Sequence, residues 1–187
     1  MSEVTLHKYS TTEAEHLFQE IYGLVASATA LPSERDMNFR MRTQEGQEYV
    51  LKLYAPETDS TWLDAQDQLL KELAKRDADL PLPRVVPNKD GLVTKTILDK
   101  NGEQRFIRAL TWLEGEVWNK VAEKQTLDFG QIGQLMARMD VALKPFIHKG
   151  ATRNFLWDIA QASAHTAFVH LIEDASIRTI VGGILDK

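Results

Sequence analysis

Two neighbouring stretches carry residue types that suit the binding of an anionic group. Lys52 lies in the strongly β-forming stretch Glu48–Tyr54, in which side chains alternate between two faces, so its ammonium lies between Val50 and Tyr54. A lysine in this setting either extends along apolar surface to the sheet edge or meets an anion. The preceding segment Ser33–Asn38 offers a hydroxyl, an amide and backbone N–H groups that can surround a phosphate. The combination favours a nucleotide grip in which a loop covers the phosphates and a lysine contacts them.

A β-hairpin is predicted to position these residues. Its strands span Asn38–Thr43 and Glu48–Tyr54, joined at Glu45-Gly46, where glycine supplies the positive φ of the turn. Helical periodicity and capping residues predict helices at Thr12–Ala26, from Asp59 or Ser60 to Asp77, at Thr126–Lys144, at Asn154–Ile172 and from Ser176 onward. Alternation and turn signals predict short strands at Val4–His7, Arg84–Pro87, Leu92–Leu98 and Gln104–Leu113. The short links between the last three predict an antiparallel meander.

Composition restricts the class of protein. The 187 residues are 43% hydrophobic and 26% charged, which is ordinary for one domain or a small domain with an appendage. The net charge of −5 argues against nucleic acid as the main partner. No cysteine is present, which excludes disulfides and thiol catalysis and favours a cytoplasmic location. No apolar run is long enough for a membrane span, and His165 and His170 lack the spacing of a helical metal pair, so we expect neither membrane nor metal.

The order of these elements, together with several short sequence words, resembles a known family. The words, in chain order, are SERDMNF, YVLKLY, LPLPRV, RALTWLEG and NFLWDIA. They resemble the aminoglycoside phosphotransferase/choline kinase-like family, and within it the hydroxylysine-kinase-like branch. Domains of this kind also occur at the front of longer proteins that end in a class III, pyridoxal-phosphate-dependent aminotransferase. The resemblance covers about Ala14–Ala162 and implies a protein-kinase-like fold that binds ATP.

The resemblance assigns the phosphate-binding residues. Lys52 matches the lysine that contacts the α- and β-phosphates, a role that suits a compact point charge with three donors. The loop that covers the phosphates matches Ser33, Arg35, Asp36 and Asn38. Asp36 and Asn38 are also common turn formers, so a purely structural role for them stays open.

Three further positions match the linker that binds adenine through its backbone, namely Thr111, Trp112 and Leu113. Family members usually pair the lysine with a helix glutamate, and the best-placed residue here is Gln66, which can orient an ammonium but cannot neutralise it. The family's catalytic loop, near H-x-D-x-x-x-x-N, does not occur in these 187 residues. By family order it would begin shortly after Lys187, so no catalytic residue is assigned and Mg²⁺ is expected only with that further lobe.

These observations predict an α+β fold, with a kinase-like lobe at residues 1–113 built on an antiparallel sheet of about five strands. Residues 114–187 would form the linker and a helical segment of an incomplete second lobe. The leading function is the ATP-binding portion of a small-molecule kinase acting on a hydroxyl or amino-alcohol substrate. The alternative is a non-catalytic binding or regulatory domain, fused to or docked on a partner such as an aminotransferase. The apolar stripe Ile177–Leu185 predicts a contact with a missing domain or with a second copy.

Overall fold

The computed structural model describes residues 8–117, 120–121, 129–152 and 158–185. The chain forms two compact units, Met1–Ala151 and Thr152–Lys187. The first unit contains, in chain order, α1 (Thr11–Tyr22), β1 (Ala26–Leu31), β2 (Met37–Thr43), β3 (Glu48–Leu53), α2 (Ser60–Arg76), β4 (Val85–Val86), β5 (Thr94–Leu98), β6 (Gln104–Thr111), α3 (Phe129–Leu143) and a 3₁₀ turn (Lys149–Ala151). The second unit contains a 3₁₀ helix (Ile159–Leu171) and α4 (Ala175–Leu185).

Some predictions concern residues for which no structure is described. The strand expected at Val4–His7 and the helix starts expected at Thr126 and Asn154 lie outside the described residues. The division into lobes at 1–113 and 114–187 stays a prediction.

The described strands form one antiparallel sheet of six strands, in the order β1-β2-β3-β6-β4, with β5 also paired to β6. This confirms the predicted α+β class, and the sheet is slightly larger than the five strands expected. The strand that sequence reasoning missed is β1, whose small residues pair with β2 along its whole length, from Ala26 opposite Thr43 to Leu31 opposite Asn38. The sequence ASATAL has neither strong alternation nor large β-formers, so its strand conformation depends on pairing with β2.

The hairpin that carries Lys52 forms where it was predicted. Gly46 adopts φ of 84°, and its N–H donates to the Thr43 carbonyl at 3.1 Å. The pairing of β2 with β3 places Asn38 directly opposite Lys52. On β3, Leu51 and Leu53 are fully buried in the main core, so Val50 and Lys52 lie on the opposite face of the sheet.

The predicted meander of the last three strands is wrong in one pairing. The β5–β6 hairpin forms, but β4 pairs with β6, at Val85 opposite Leu110, rather than with β5. Because β3 occupies one edge of β6, β4 and β5 share the other edge. A sequence shows which stretches are extended, but a strand of two residues carries too little pattern to choose its partner.

The first helix begins earlier and ends earlier than predicted. Its N-cap is Ser10, which forms a capping box with Glu13, rather than the predicted box starting at Thr12. It ends at Tyr22 because Gly23 adopts φ of 75°, a left-handed conformation that stops a helix. Ala14, Phe18 and Ile21 pack against the core face of the sheet.

The helix α2 follows its prediction closely, since Asp59 caps it and accepts from the Thr61 N–H at 2.7 Å. Its C-terminal part packs with α3 in a second cluster around Leu73, Leu80 and Ala142. Near its start, α2 closely approaches the 3₁₀ turn at Gly150. The helix is therefore held at both ends.

The second unit consists of apolar helices with large exposed side chains. Asp158 caps the 3₁₀ helix, and Asp174 accepts from the N–H groups of Ser176 and Ile177 and so caps α4, where Ser176 was predicted as the cap. Ile177, Ile180 and Ile184 of α4 are exposed. The predicted contact through this stripe stays a prediction. None of the described helices is both long and apolar enough to cross a membrane.

Candidate functional site

A cleft of about 520 Å³ lies between the outer face of the sheet and α2. That volume is within the range of roughly 300–1,000 Å³ typical of small-molecule sites. Its lining comprises Val50, Lys52, Arg108, Leu110 and Thr111 from the sheet, Gln66, Leu69 and Leu70 from α2, and Pro83, Trp112 and Leu113 from connecting segments. Apolar side chains dominate, and the cations Lys52 and Arg108 come from adjacent strands. The cleft therefore suits a ligand that has a flat apolar part and an anionic part.

Lys52 is half-buried in this cleft, and its ammonium donates to Asn38 Oδ1 at 2.7 Å. The Asn38 amide in turn donates to Ser33 Oγ at 3.1 Å. Burial lowers the pKa of Lys52; the Arg108 charge lowers it further, while the Asp36 carboxylate opposes both. The structure thus brings Lys52, Asn38 and Ser33 into one hydrogen-bonded chain.

The other two predicted loop residues are placed differently. Asp36 accepts from the Ala55 N–H at 3.3 Å and so ties the loop to the end of β3. Arg35 forms an exposed ion pair with Glu57, which raises the pKa of Arg35. Neither residue lines the cleft. Asp36 contacts the backbone at the end of β3, and Arg35 contacts Glu57.

Gln66 lines the cleft, but it does not contact Lys52, the partner that the resemblance gave it. Its Oε1 accepts from Arg108 at 2.5 Å, and the neighbouring Asp67 Oδ1 accepts from the same guanidinium at 2.5 Å. Arg108 is 2% exposed and Asp67 5% exposed, so this is a buried ion pair between β6 and α2. Sequence reasoning missed it. The only signal was a charged residue on the same face of β6 as Leu110.

The linker predicted to bind adenine, Thr111–Leu113, also lines the cleft that contains Lys52. The Thr111 N–H donates to the Arg84 carbonyl at 2.9 Å, and the Trp112 N–H donates to the Glu48 carbonyl at 3.1 Å. These two donors are therefore occupied, whereas the Leu113 N–H makes no hydrogen bond within the described part of the chain. The guanidinium of Arg40 lies 4.3 Å from the Trp112 ring centroid, a cation–π contact that fixes the indole.

Metal binding has no assembled site in the described ranges. Across residues 8–117, 120–121, 129–152 and 158–185, no three histidine or carboxylate side chains are grouped closely enough to hold a metal ion. The cleft itself offers cations and neutral donors, which suit an anion rather than a metal.

Comparison with known proteins identifies the class to which this fold and cleft belong. A family model described as "Phosphotransferase enzyme family" matches residues 27–174, which is most of the chain. The chain belongs to this phosphotransferase family. A hydroxylysine kinase from Danio rerio is 27% identical over 188 residues, covering 95% of this chain and 52% of that protein. The resemblance read from the sequence words is thereby confirmed.

Solved structures show the same fold. An amicoumacin kinase in complex with AMP-PNP, Ca²⁺ and Ami superposes with a TM-score of 0.62 at 15% identity, covering 90% of this chain and 49% of that one. A microcompartment-associated aminopropanol kinase superposes with a TM-score of 0.60 at 16% identity, covering 86% of this chain and 55% of that one. This chain thus spans about half the length of the relatives it matches.

Proposed function

We propose that this chain is the ATP-binding part of a small-molecule kinase that transfers phosphate to a hydroxyl or amino-alcohol substrate. The observation that carries the proposal is the cleft in which Lys52 lies on the same lining as the linker Thr111–Leu113. Membership of the phosphotransferase family and the likeness to kinases support it.

The geometry suggests how ATP would bind. The base would lie against Val50, Leu110 and Trp112, with the Leu113 N–H as the available linker donor. The phosphates would reach Lys52, whose ammonium donates to a neutral asparagine oxygen and forms no ion pair with a carboxylate of the described residues. Asn38 and Ser33 would close over the phosphates from the loop side. Phosphate transfer itself, the acceptor substrate and the Mg²⁺ ligands are proposed to belong to the longer protein.

ATP binding by calorimetry tests this proposal. We expect Lys52→Ala to weaken binding by roughly tenfold or more, because a hydrogen bond to a charged group contributes about 1.5–3 kcal/mol. The matched control is Lys95→Ala, which removes a lysine from β5 that pairs with Asp90 at the surface and does not line the cleft. Equal binding by the wild-type chain and Lys52→Ala would refute the assigned role of Lys52.

A second candidate, a non-catalytic binding or regulatory domain, is favoured by one feature of the cleft. Gln66, which could orient the Lys52 ammonium, and Asp67, which could neutralise it, both accept hydrogen bonds from Arg108 instead. An assay of ADP release with magnesium and a panel of amino-alcohols separates the two functions. Turnover by the longer protein that Lys52→Ala abolishes supports the kinase, whereas ATP binding without turnover supports the binding domain.

A further inference from the structure

We propose that Arg108 is a positioning residue of the cleft, which neutralises Asp67 and thereby leaves the ammonium of Lys52 as the uncompensated charge for an anionic ligand. The inference rests on the proposed function, since the anion in question is the phosphate chain of a nucleotide. Arg108 acts through Asp67 and Lys52, and makes no ligand contact of its own.

The register of the sheet places Lys52 directly opposite Arg108. Lys52 on β3 and Arg108 on β6 are direct partners, so both side chains leave the same face of adjacent strands. Two cations in this position repel each other unless a carboxylate lies nearby. Asp67 supplies that carboxylate from α2, and its Oδ1 accepts from Arg108 at 2.5 Å.

The amide oxygen of Gln66 and both carboxylate oxygens of Asp67 already accept hydrogen bonds. The other oxygen of Asp67 accepts from the Thr94 hydroxyl at 2.8 Å, so both carboxylate oxygens have donors. A guanidinium has no acceptor atom, so the Gln66 atom that faces it at 2.5 Å must be the amide oxygen. Arg108 therefore fixes both helix residues that could otherwise turn to Lys52.

The positive charge of Lys52 is left without an ion-pair partner among the described residues. No carboxylate of the described residues forms an ion pair with Lys52, which bonds only the neutral Asn38 oxygen. Lys52, Arg108 and Asp67 together carry one net positive charge, and Lys52 is the member of the three whose charge is not paired. Burial is the largest cause of the lowered pKa of Lys52 and Arg108 adds to it, while the Asp36 carboxylate, which accepts from the Ala55 N–H rather than from Lys52, partly opposes them.

Substitutions that remove the charge of Arg108, of Asp67 or of both test the proposal directly. Arg108→Met leaves the Asp67 carboxylate unpaired and removes the net positive charge, so the affinity for ATP and for tripolyphosphate should fall about tenfold. The double variant Arg108→Met/Asp67→Asn removes both charges and should recover most of that loss. Asp67→Asn alone should bind both probes at least as tightly as the wild-type chain. Calorimetry on the full chain measures all four proteins.

The pKa of Lys52 provides a readout that needs no ligand. Titration of ¹³C-methylated lysines by NMR, with Lys52→Ala to assign the signal, should show a higher pKa for Lys52 in Arg108→Met. Asp67→Asn should lower it, because Arg108 then loses its counter-charge, and the double variant should lie between the two single variants. If the charges of Arg108 and Asp67 did not act on Lys52, its pKa would be the same in every folded variant.

Two results would overturn the proposal. If the double variant loses as much affinity as Arg108→Met, then Arg108 contacts the ligand itself. If the pKa of Lys52 does not move in Asp67→Asn, then the Arg108–Asp67 ion pair does not act on Lys52. This result decides whether Arg108 is a positioning residue even where Arg108→Met fails to fold. If the wild-type chain binds neither ATP nor tripolyphosphate, the proposed function fails, while the titration still decides the role of Arg108.

Discussion

Gly150 is the position at which a single methyl group should most sharply reveal how α2 is anchored. A Cβ built there would fall inside contact distance of the Thr61 carbonyl oxygen, 2.7 Å from the Thr61 carbonyl carbon and 3.1 Å from the Trp62 nitrogen. All three are backbone atoms at the start of α2, so no side-chain rotation can relieve the overlap. The substitution Gly150→Ala must therefore push the 3₁₀ turn away from the helix.

The cost can be worked from this geometry. Inserting a methyl group into a packed site costs about 1–3 kcal/mol, and a backbone-on-backbone overlap belongs at the upper end. The turn also holds the Gly150 N–H, which donates to His148 Nδ1 at 3.0 Å, and loss of that bond adds about 1 kcal/mol. The Nε2 atom of the same histidine lies 3.0 Å from Asp64 Oδ2 on α2, so displacement of the turn disturbs that contact too. We expect a loss of about 3–4 kcal/mol in the free energy of unfolding.

Urea unfolding monitored by tryptophan fluorescence measures this loss, since Trp62 adjoins the contact. Gly133→Ala is the matched control, because Gly133 lies within α3 and a Cβ there meets nothing within 4 Å. Alanine in a helix interior is favoured over glycine by about 0.8–1 kcal/mol, so this variant should gain stability. Glycine to alanine should thus lower the free energy of unfolding at position 150 and raise it at position 133. A Gly150→Ala protein as stable as the wild type would refute the close approach.

Two further predictions concern the first unit. The hydrogen bond from Lys100 lowers the pKa of Glu13 to about 2, from an ordinary value of 4.5. A carboxyl whose folded pKa is depressed stabilises the fold above its unfolded pKa and loses that effect as the pH falls, so the stability gap between wild type and Glu13→Gln should shrink from pH 6 to pH 2 in urea titrations; a constant gap would contradict this. Gly46→Ala, at φ of 84°, should cost about 1–2 kcal/mol in the same assay, while Glu45→Ala in the same turn should cost little; equal effects would argue against the left-handed turn.

Much of the fold followed from patterns within single elements. The position of Lys52 opposite to the buried Leu51 and Leu53 could be predicted because strand alternation has a period of two, which needs no knowledge of distant residues. The Asp59 cap and the Gly46 turn were equally local. β1 could not be predicted, because its six residues gain their strand conformation only by pairing with β2.

The candidate site divides in the same way. The sequence determined that Lys52, Gln66 and the linker Thr111–Leu113 are available to a cleft, since each follows from a local pattern or a family word. Only the tertiary structure decided which charges meet. Gln66 was expected beside Lys52, yet it bonds Arg108, which is 42 residues away along the chain. The physical reason is that hydrogen bonds and ion pairs between elements depend on how a helix lies across a sheet, and no local periodicity encodes that packing.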